Sequence, residues 1–490
     1  MGSKWQSTSL KELGVRLIDC DHKTPKAVEC GIPYIGIPQM DNGRINFDAN
    51  PRLISEDDFK HWTRKANPMY GDIILSRRCN SGETVCVPRN SKFALGQNLV
   101  LLRPEGERVH PEYLRWAVHG KEWWNEVAKY LNPGAIFESL KCADIPKFKI
   151  PEPPISAQIK IAEHLSAISG KIELNQKINQ TLEQMAQALF KSWFVDFDPV
   201  FDNLLASVDF NLENLETSLP DELIQKAQRR LAALNSLENA AECKASLSAL
   251  AHELQAQTHA AVQVSEKAAE TPVKANVSAN PNILTQHANT HAHFPNEFEH
   301  NEQLGWIPKG WEGGCLEDML VLQRGFDLPK SKRTNGNYPL IVSSGQDGTH
   351  SEFKAKGPGV VTGRSGKIGI ITFVHDDFWP LNTTLWIKEY RKSNPYHAFH
   401  LLSTLGLEQF NSGSAVPTLN RNHIHSLPLV VPTILVLNEY ESYVEGLFLK
   451  IRKNNNQSKT LKNLRDTLLP KLISGELQIP DVASDEEVVD

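Results

Sequence analysis

The clearest pattern in the chain is a pair of long stretches in which apolar residues recur at alternating spacings of four and three. The first runs through Ile161, Leu165, Ile168, Ile172, Asn175, Asn179, Leu182, Ala186, Leu189 and Trp193. The second runs through Tyr440, Val444, Leu447, Ile451, Asn454, Ser458, Leu461, Arg465, Leu468 and Leu472. That spacing keeps one stripe of a helix apolar and marks the seam of a coiled coil. Each stretch follows a proline stop, Pro151-Glu152-Pro153-Pro154 or Val431-Pro432. Proline there ends a strand-rich block and suits a helix start. About 40 residues at ~1.5 Å each give a rod of roughly 60 Å. Both seams turn polar at the same midpoint. An Asn buried in a seam sets register at a cost in stability, so the rods are expected to pack on each other.

The two stretches belong to a longer repeat. A shift of 279 lays residues 139–190 on 418–469 without a gap, and Leu140, Ile145, Pro153, Ile155, Lys171, Ile172, Asn175, Thr181, Leu182 and Leu189 meet identical residues. Upstream, a shift of 286 puts Arg78 on Arg364, Leu95 on Leu381 and Leu99 on Leu385. A shift of 306 puts Trp5 on Trp311, Leu10 on Leu316 and Pro33 on Pro339. The offset changes where loops differ in length. We read a duplicated globular block followed by a helix. Within the blocks, residues 72–75, 98–102, 359–362 and 368–373 read as strands bounded by Gly, Pro and Asn, while 111–130 and 395–410 read as helices. The expected segments are a first block over 1–152, a first long helix over 153–195 and an acidic, partly disordered connector over 196–302. A second block over 303–432, a second long helix over 433–475 and an acidic tail over 476–490 follow. Inside the connector a helical patch is expected near 219–257. Residues 258–295, with scarcely an apolar cluster, are expected to be flexible.

Composition narrows the class. With 490 residues, 40% hydrophobic and 22% charged, two or three globular domains are expected. No apolar run approaches the ~18 residues of a membrane span. Met1-Gly2-Ser3-Lys4-Trp5 has no apolar signal region. The seven cysteines are scattered and form no C-x-x-C, so neither a disulfide framework nor a zinc knuckle is expected. A reducing cytoplasm fits best. The net charge of −6 speaks against nucleic acid only until it is mapped. Residues 1–150 are +4 and 303–475 are +6, whereas 196–302 are −10 and the tail is −6. Two mildly basic blocks permit DNA binding without demonstrating it.

Catalytic motifs fail on inspection. Asn67-Pro68-Met69-Tyr70 approaches the signature of adenine methyltransferases, but its third position is wrong and no glycine-rich loop after a strand precedes it. A turn is expected there. Gly363-Arg364-Ser365-Gly366-Lys367 lacks the Gly and the Ser/Thr of a phosphate loop, since Val361 and Ile368 stand there. His291 and His293 have no partner ligands, and no metal site or catalytic set is expected. What remains suits base edges. Arg77, Arg78 and Asn80 follow one expected strand, and Arg364, Ser365 and Lys367 hold the corresponding place. Gln97-Asn98 and Thr383-Thr384 form a second matched pair. Arg offers a fork to guanine, and Asn or Gln to adenine. Lys92, Lys330, Lys332 and Arg333 are candidates for phosphates. An enzyme using Asn67–Tyr70 and a scaffold without DNA contact are the competing classes.

Longer strings carry a family resemblance. Phe190-Lys191-Ser192-Trp193-Phe194-Val195-Asp196-Phe197-Asp198-Pro199-Val200 resembles the end of the first long helix in specificity subunits of type I restriction-modification systems. Phe294-Pro295-Asn296-Glu297-Phe298 with Leu304–Trp311 resembles that family's approach to its second target-recognition domain, and Thr460–Leu477 its C-terminal helix end. Residues 206–293 exceed the family's usual connector, and Leu437 departs from Gln158 of the first copy. The resemblance implies an α+β fold: two mixed α/β target-recognition domains joined by two long helices forming an antiparallel coiled coil. Each domain would read one half of a split DNA sequence, and the rod would set the spacer. The implied partners are double-stranded DNA, two modification subunits and two restriction subunits. S-adenosylmethionine, ATP and Mg would sit on those partners rather than on this chain. Ile168, Ile172, Leu182, Leu189, Leu447, Ile451, Leu461 and Leu468 are the candidate docking positions on the helices.

Overall fold

A computed structural model describes residues 4–41, 43–132, 138–215, 219–265, 290–411 and 417–480. The chain divides into two compact units, Met1–Lys177 with Asn454–Asp490, and Ile178–Lys453. The divisions fall at the polar midpoints of the two seams, so each unit holds one block and half of each long helix.

In the first unit, strands β1 (Val15–Asp19), β2 (Ile73–Ser76), β3 (Thr84–Cys86) and β4 (Leu99–Pro104) form an antiparallel sheet in the order β1-β4-β2-β3. All of β2 and the first four residues of β4 are buried. Alternation explains this. Ile73, Leu75, Val100 and Leu102 face one core, with Leu114 and Trp123. Ile74, Val85, Leu99 and Leu101 face another, with Ile35 and Phe93. A sheet covered on both faces needs continuous apolar runs, which is why these strands were legible. The helix expected over 111–130 is two helices, Pro111–Ala117 and Lys121–Tyr130.

The second unit repeats the plan. Strands β5 (Leu320–Arg324), β6 (Gly359–Gly363), β7 (Ile371–Val374) and β8 (Thr384–Tyr390) have the order β5-β8-β6-β7. Two smaller sheets repeat as well. Ile32–Ile35 runs antiparallel to Arg52–Ile54 and parallel to Ala94–Leu95. Tyr338–Val342 does the same with Gly345–His350 and Trp379–Pro380. Ser7–Ser9 pairs with Lys149–Pro151, as Glu312–Cys315 pairs with Pro428–Val431. Three sheets of matching topology in each unit establish the duplication.

The long helices span Ile155–Phe194 and Ile434–Ser474. Every seam position named above is buried or half-buried. In the first unit Ile161 and Leu165 share a core with Leu472 and Ile473. In the second, Ala186, Phe190 and Trp193 share one with Val436, Tyr440 and Val444. The start of one helix thus meets the end of the other, and the pairing is antiparallel. Asn175 Nδ2 donates to Gln457 Oε1 at 3.0 Å and Ser458 Oγ at 3.2 Å. A slip would strand these amides in the seam, so the pair sets register.

The departure at Leu437 has a physical reason. In the first copy the buried Gln158 side chain accepts from His110 N at 2.8 Å and donates to Arg108 O at 2.9 Å, steadying the chain before Pro111–Ala117. In the second copy the amide sits on the block instead. Asn394 caps helix Pro395–Thr404 by accepting from His397 N, and its Nδ2 donates to Leu437 O at 3.3 Å.

The connector is more ordered than its composition suggests. Helices Asp198–Ser207, Asp221–Asn235 and Ala240–Ser265 pack Phe201, Leu205, Leu223, Ala227, Leu234 and Leu247 into a small core. The last helix runs past 257, and residues 290–295 hold the chain's return, correcting both edges of the flexible stretch expected over 258–295. Its middle, 266–289, lies outside the described residues. The anchor is ionic: Asp202, fully buried, takes Arg230 through Oδ1 and Oδ2 at 2.7 and 2.8 Å and meets His291 Nε2 at 3.0 Å. Asn203 Nδ2 donates to His291 O and Phe294 O. Among the described residues no helix is long and apolar enough to cross a membrane.

Candidate nucleic-acid interface

In the first block the turn after β2 is fixed by its own side chains. Ser76 Oγ donates to Arg78 O at 2.9 Å, Ser81 Oγ donates to Arg77 O at 3.0 Å, and Gly82 N donates to Ser76 O at 3.0 Å. Cys79 and Asn80 take positive φ, 50° and 71°. The turn leaves Arg78, Cys79 and Asn80 exposed. Arg77 N donates to Asn98 O at 3.0 Å, which brings the second predicted loop, Gln97-Asn98, alongside.

The second block builds the same pair of loops. Arg364 N donates to Thr383 O at 2.8 Å, and Ser365 N to the same oxygen at 3.1 Å. Gly363 must be glycine, because a Cβ there would lie 1.8 Å from Lys367 O. Lys367 is exposed, and Arg364 and Ser365 are half-buried.

These bonds correct the sequence alignment by one residue. Leu140 N donates to Arg77 O, and Leu419 N to Arg364 O, so Arg364 corresponds to Arg77 rather than to Arg78. Leu99 pairs with Ser76 and Thr384 with Gly363, so β2 and β6 differ by 287 and β4 and β8 by 285. Asn98, not Gln97, therefore matches Thr383. The offset of 286 was an average of two different loop lengths.

The same registers reveal residues that sequence reasoning missed. Asp19 pairs with Val100 in β4, and Arg324 with Leu385 in β8, which makes Arg324 the counterpart of Asp19. Cys142, two beyond Leu140, corresponds to Arg421, two beyond Leu419. In the first block Asp19 lies 3.8 Å from Arg77 and 3.0 Å from His22. Burial pushes the Cys142 thiol up, with Arg77 and Asp19 both acting on it, so the three positions lie together. In the second block Arg324, Arg364 and Arg421 line one cleft of about 470 Å³ with Leu385, Thr418, Leu419 and Asn420.

The other candidates stand elsewhere. Lys92 is bonded to both oxygens of Glu56, at 2.9 and 3.0 Å. Lys330–Lys332 form a single turn, and Arg333 reaches Asp347 at 3.1 Å. Asp19, Cys20 and His22 offer three potential metal ligands within 4.8 Å. Each already has protein partners, and burial pushes the Cys20 thiol up to about 11. Asn67–Tyr70 form the turn expected, tied down where Arg103 donates to Asn67 O at 2.7 Å and Met69 N donates to Asp72 at 2.8 Å.

Comparison with known proteins shows what the chain resembles. Residues 2–184 match the type I restriction modification DNA specificity domain. The HindI specificity subunit of Haemophilus influenzae is 23% identical over 446 residues, covering 83% of this chain and 86% of that one. The MjaIX specificity subunit of Methanocaldococcus jannaschii is 23% identical over 477 residues, covering 92% and 88%. The solved S subunit from M. genitalium aligns over 98% of this chain and 97% of its own, with a TM-score of 0.51 at 14% identity, which speaks to fold alone. Over most of its length the chain is thus similar to type I specificity subunits.

In this chain the resemblance strings hold the structure together. Phe190, Trp193 and Phe194 pack with Phe294, Trp311, His397 and Tyr440 into one aromatic cluster. At the other helix end Lys4 N donates to Ser474 O at 2.8 Å, and a Cβ on Gly475 would strike Trp5 at 2.5 Å. Trp5 and Trp311, matched by sequence, thus each meet a long helix near its C-terminal end. The eight docking positions are buried or half-buried in the seam. The exposed apolar groups on the helices are others, including Leu174, Met185, Leu449 and Leu464.

Proposed function

We propose that this chain is a type I specificity subunit that reads a two-part DNA target, one part per block, and carries no catalytic step itself. The observation that supports it is the duplicated pair of loops, one after β2 and before β4, the other after β6 and before β8. Each pair is rigidly bonded and bears cationic and amide side chains. In this reading the blocks contact the major groove through Arg78 and its neighbours and through Arg364 and its neighbours. The long helices seat two modification subunits through outward-facing Leu174, Met185, Leu449 and Leu464 rather than through the buried seam positions, and two restriction subunits join them in the cytoplasm. S-adenosylmethionine, ATP and Mg belong to those partners.

The test is methylation by the assembled complex. Wild type should methylate adenine in each half of a two-part motif. Arg78→Ala should relax the motif in one half and Arg364→Ala in the other, each by roughly 1–3 kcal/mol of discrimination, with assembly intact. Unchanged selectivity in both variants would remove these assignments. A wild-type complex with no salt-dependent affinity for duplex DNA would leave only a scaffold.

A further inference from the structure

The corresponding places in the two blocks differ in charge. In the second block Arg324, Arg364 and Arg421 line the cleft, and among the described residues no acidic side chain lines it. Arg364 is half-buried, its NH1 reaching Asn382 O at 3.5 Å. Arg324 also meets Asp327 at 3.3 Å, but both are more than half exposed, where such a pair contributes little. In the first block the matching residues are Asp19, Arg77 and Cys142. There Asp19 lies 3.8 Å from Arg77, whose side chain is only 13% exposed. One guanidinium facing a carboxylate replaces three guanidinium groups. Lys141 is exposed where Asn420 stands in the second block.

Three like charges around one concavity repel each other, and the arrangement is relieved when an anion enters. Shape narrows the choice of anion. Base edges lie on the floor of a groove and are reached by protruding loops. A concave cationic site instead suits the protruding phosphate ridge, which Arg grips through paired N–H donors. The cleft also lies beside the loop given a reading role above, so a phosphate held there would fix that loop's register.

We propose that Arg324 and Arg421, which line this cleft beside the reading residue Arg364, seat a backbone phosphate of duplex DNA, and that the first block lacks an equivalent seat because Asp19 and Cys142 stand in their places. This rests on the DNA-reading function proposed above and adds to it an asymmetry: the second block grips the backbone at a place where the first does not.

The experiment is a salt series with the full chain in complex with its modification subunits, on a labelled random-sequence duplex. Arg324→Ala with Arg421→Ala should lower the slope of log affinity against log salt by about 0.9, the value for one phosphate contact, and weaken binding roughly tenfold at about 0.1 M salt. Arg324→Lys with Arg421→Lys should keep most of the slope, which separates charge from folding. The methylated motif should not change in the Ala variant. Asp19→Asn should bind random duplex more tightly than wild type. An unchanged slope in the double Ala variant would overturn the phosphate seat. A relaxed motif there would reassign the cleft to base contact, and unchanged binding by Asp19→Asn would overturn the asymmetry. Absence of DNA binding by wild type would instead defeat the function proposed above.

Discussion

Asp202→Ala is expected to lower the stability of the second unit by about 3–5 kcal/mol. Asp202 is fully buried and is bonded by Arg230 and His291. Burial pushes its carboxyl up, but the bonds from Arg230 and His291 outweigh that and hold it below the usual carboxylate range. Removing the carboxylate leaves Arg230, 23% exposed, with only Asp198 at 3.3 Å. The loss is therefore mostly the cost of a stranded cation. Urea unfolding checks it, and the double variant Asp202→Ala with Arg230→Met should recover most of the loss, because it removes both ions together. A single-variant cost below about 1 kcal/mol would show that the pair does not anchor the chain's return at His291.

Mild acid should be the second large perturbation. His397 and His400 lie in the aromatic cluster, 2% and 4% exposed. Burial, with His400 beside it, pulls His397 down to about 3, and burial pulls His400 down to about 4. The unfolded chain binds these protons near pH 6.5 and the folded chain does not. The stability they support is therefore complete above about pH 6.5 and falls as pH drops towards 4. Near pH 5 each histidine accounts for roughly 2 kcal/mol, at about 1.4 kcal/mol per pH step. Thermal unfolding at pH 7.5 and 5.0 measures it. His397→Gln with His400→Gln should reduce the difference, leaving the part that His119, itself pulled down by burial, contributes; an equal pH dependence in both proteins would place the acid sensitivity elsewhere.

Much of this fold was legible because two signals repeat. Every position that the alternating seam spacing named is buried or half-buried, and the apolar runs named β2, β4 and β6, whose faces are both covered. The connector was less legible. Its Ala- and Asn-rich composition hides a core held by one buried ion pair, and nothing in sequence order shows that Asp202, Arg230 and His291 meet. The site was legible in the same graded way. Arg77, Arg78 and Arg364 sit in turns that follow strands, so local pattern found them. Arg324 and Arg421 join Arg364 only through strand pairing. The link of Arg324 to Asp19 was obscured by a register change in which Val321 pairs with Glu389 but Leu322 pairs with Ile387, leaving Lys388 bulged.

That bulge has a wider meaning. Before it the two copies keep one numerical offset, and after it they differ by one, so an arginine arrives where an aspartate stood. The apolar residues on either side still face their cores. Gaining or losing one amino acid at the margin of such a scaffold can thus invert the sign presented to a polyanion while sparing the interior. Preference for a new binding partner can then change through spacing, with no need to rebuild what holds the protein together.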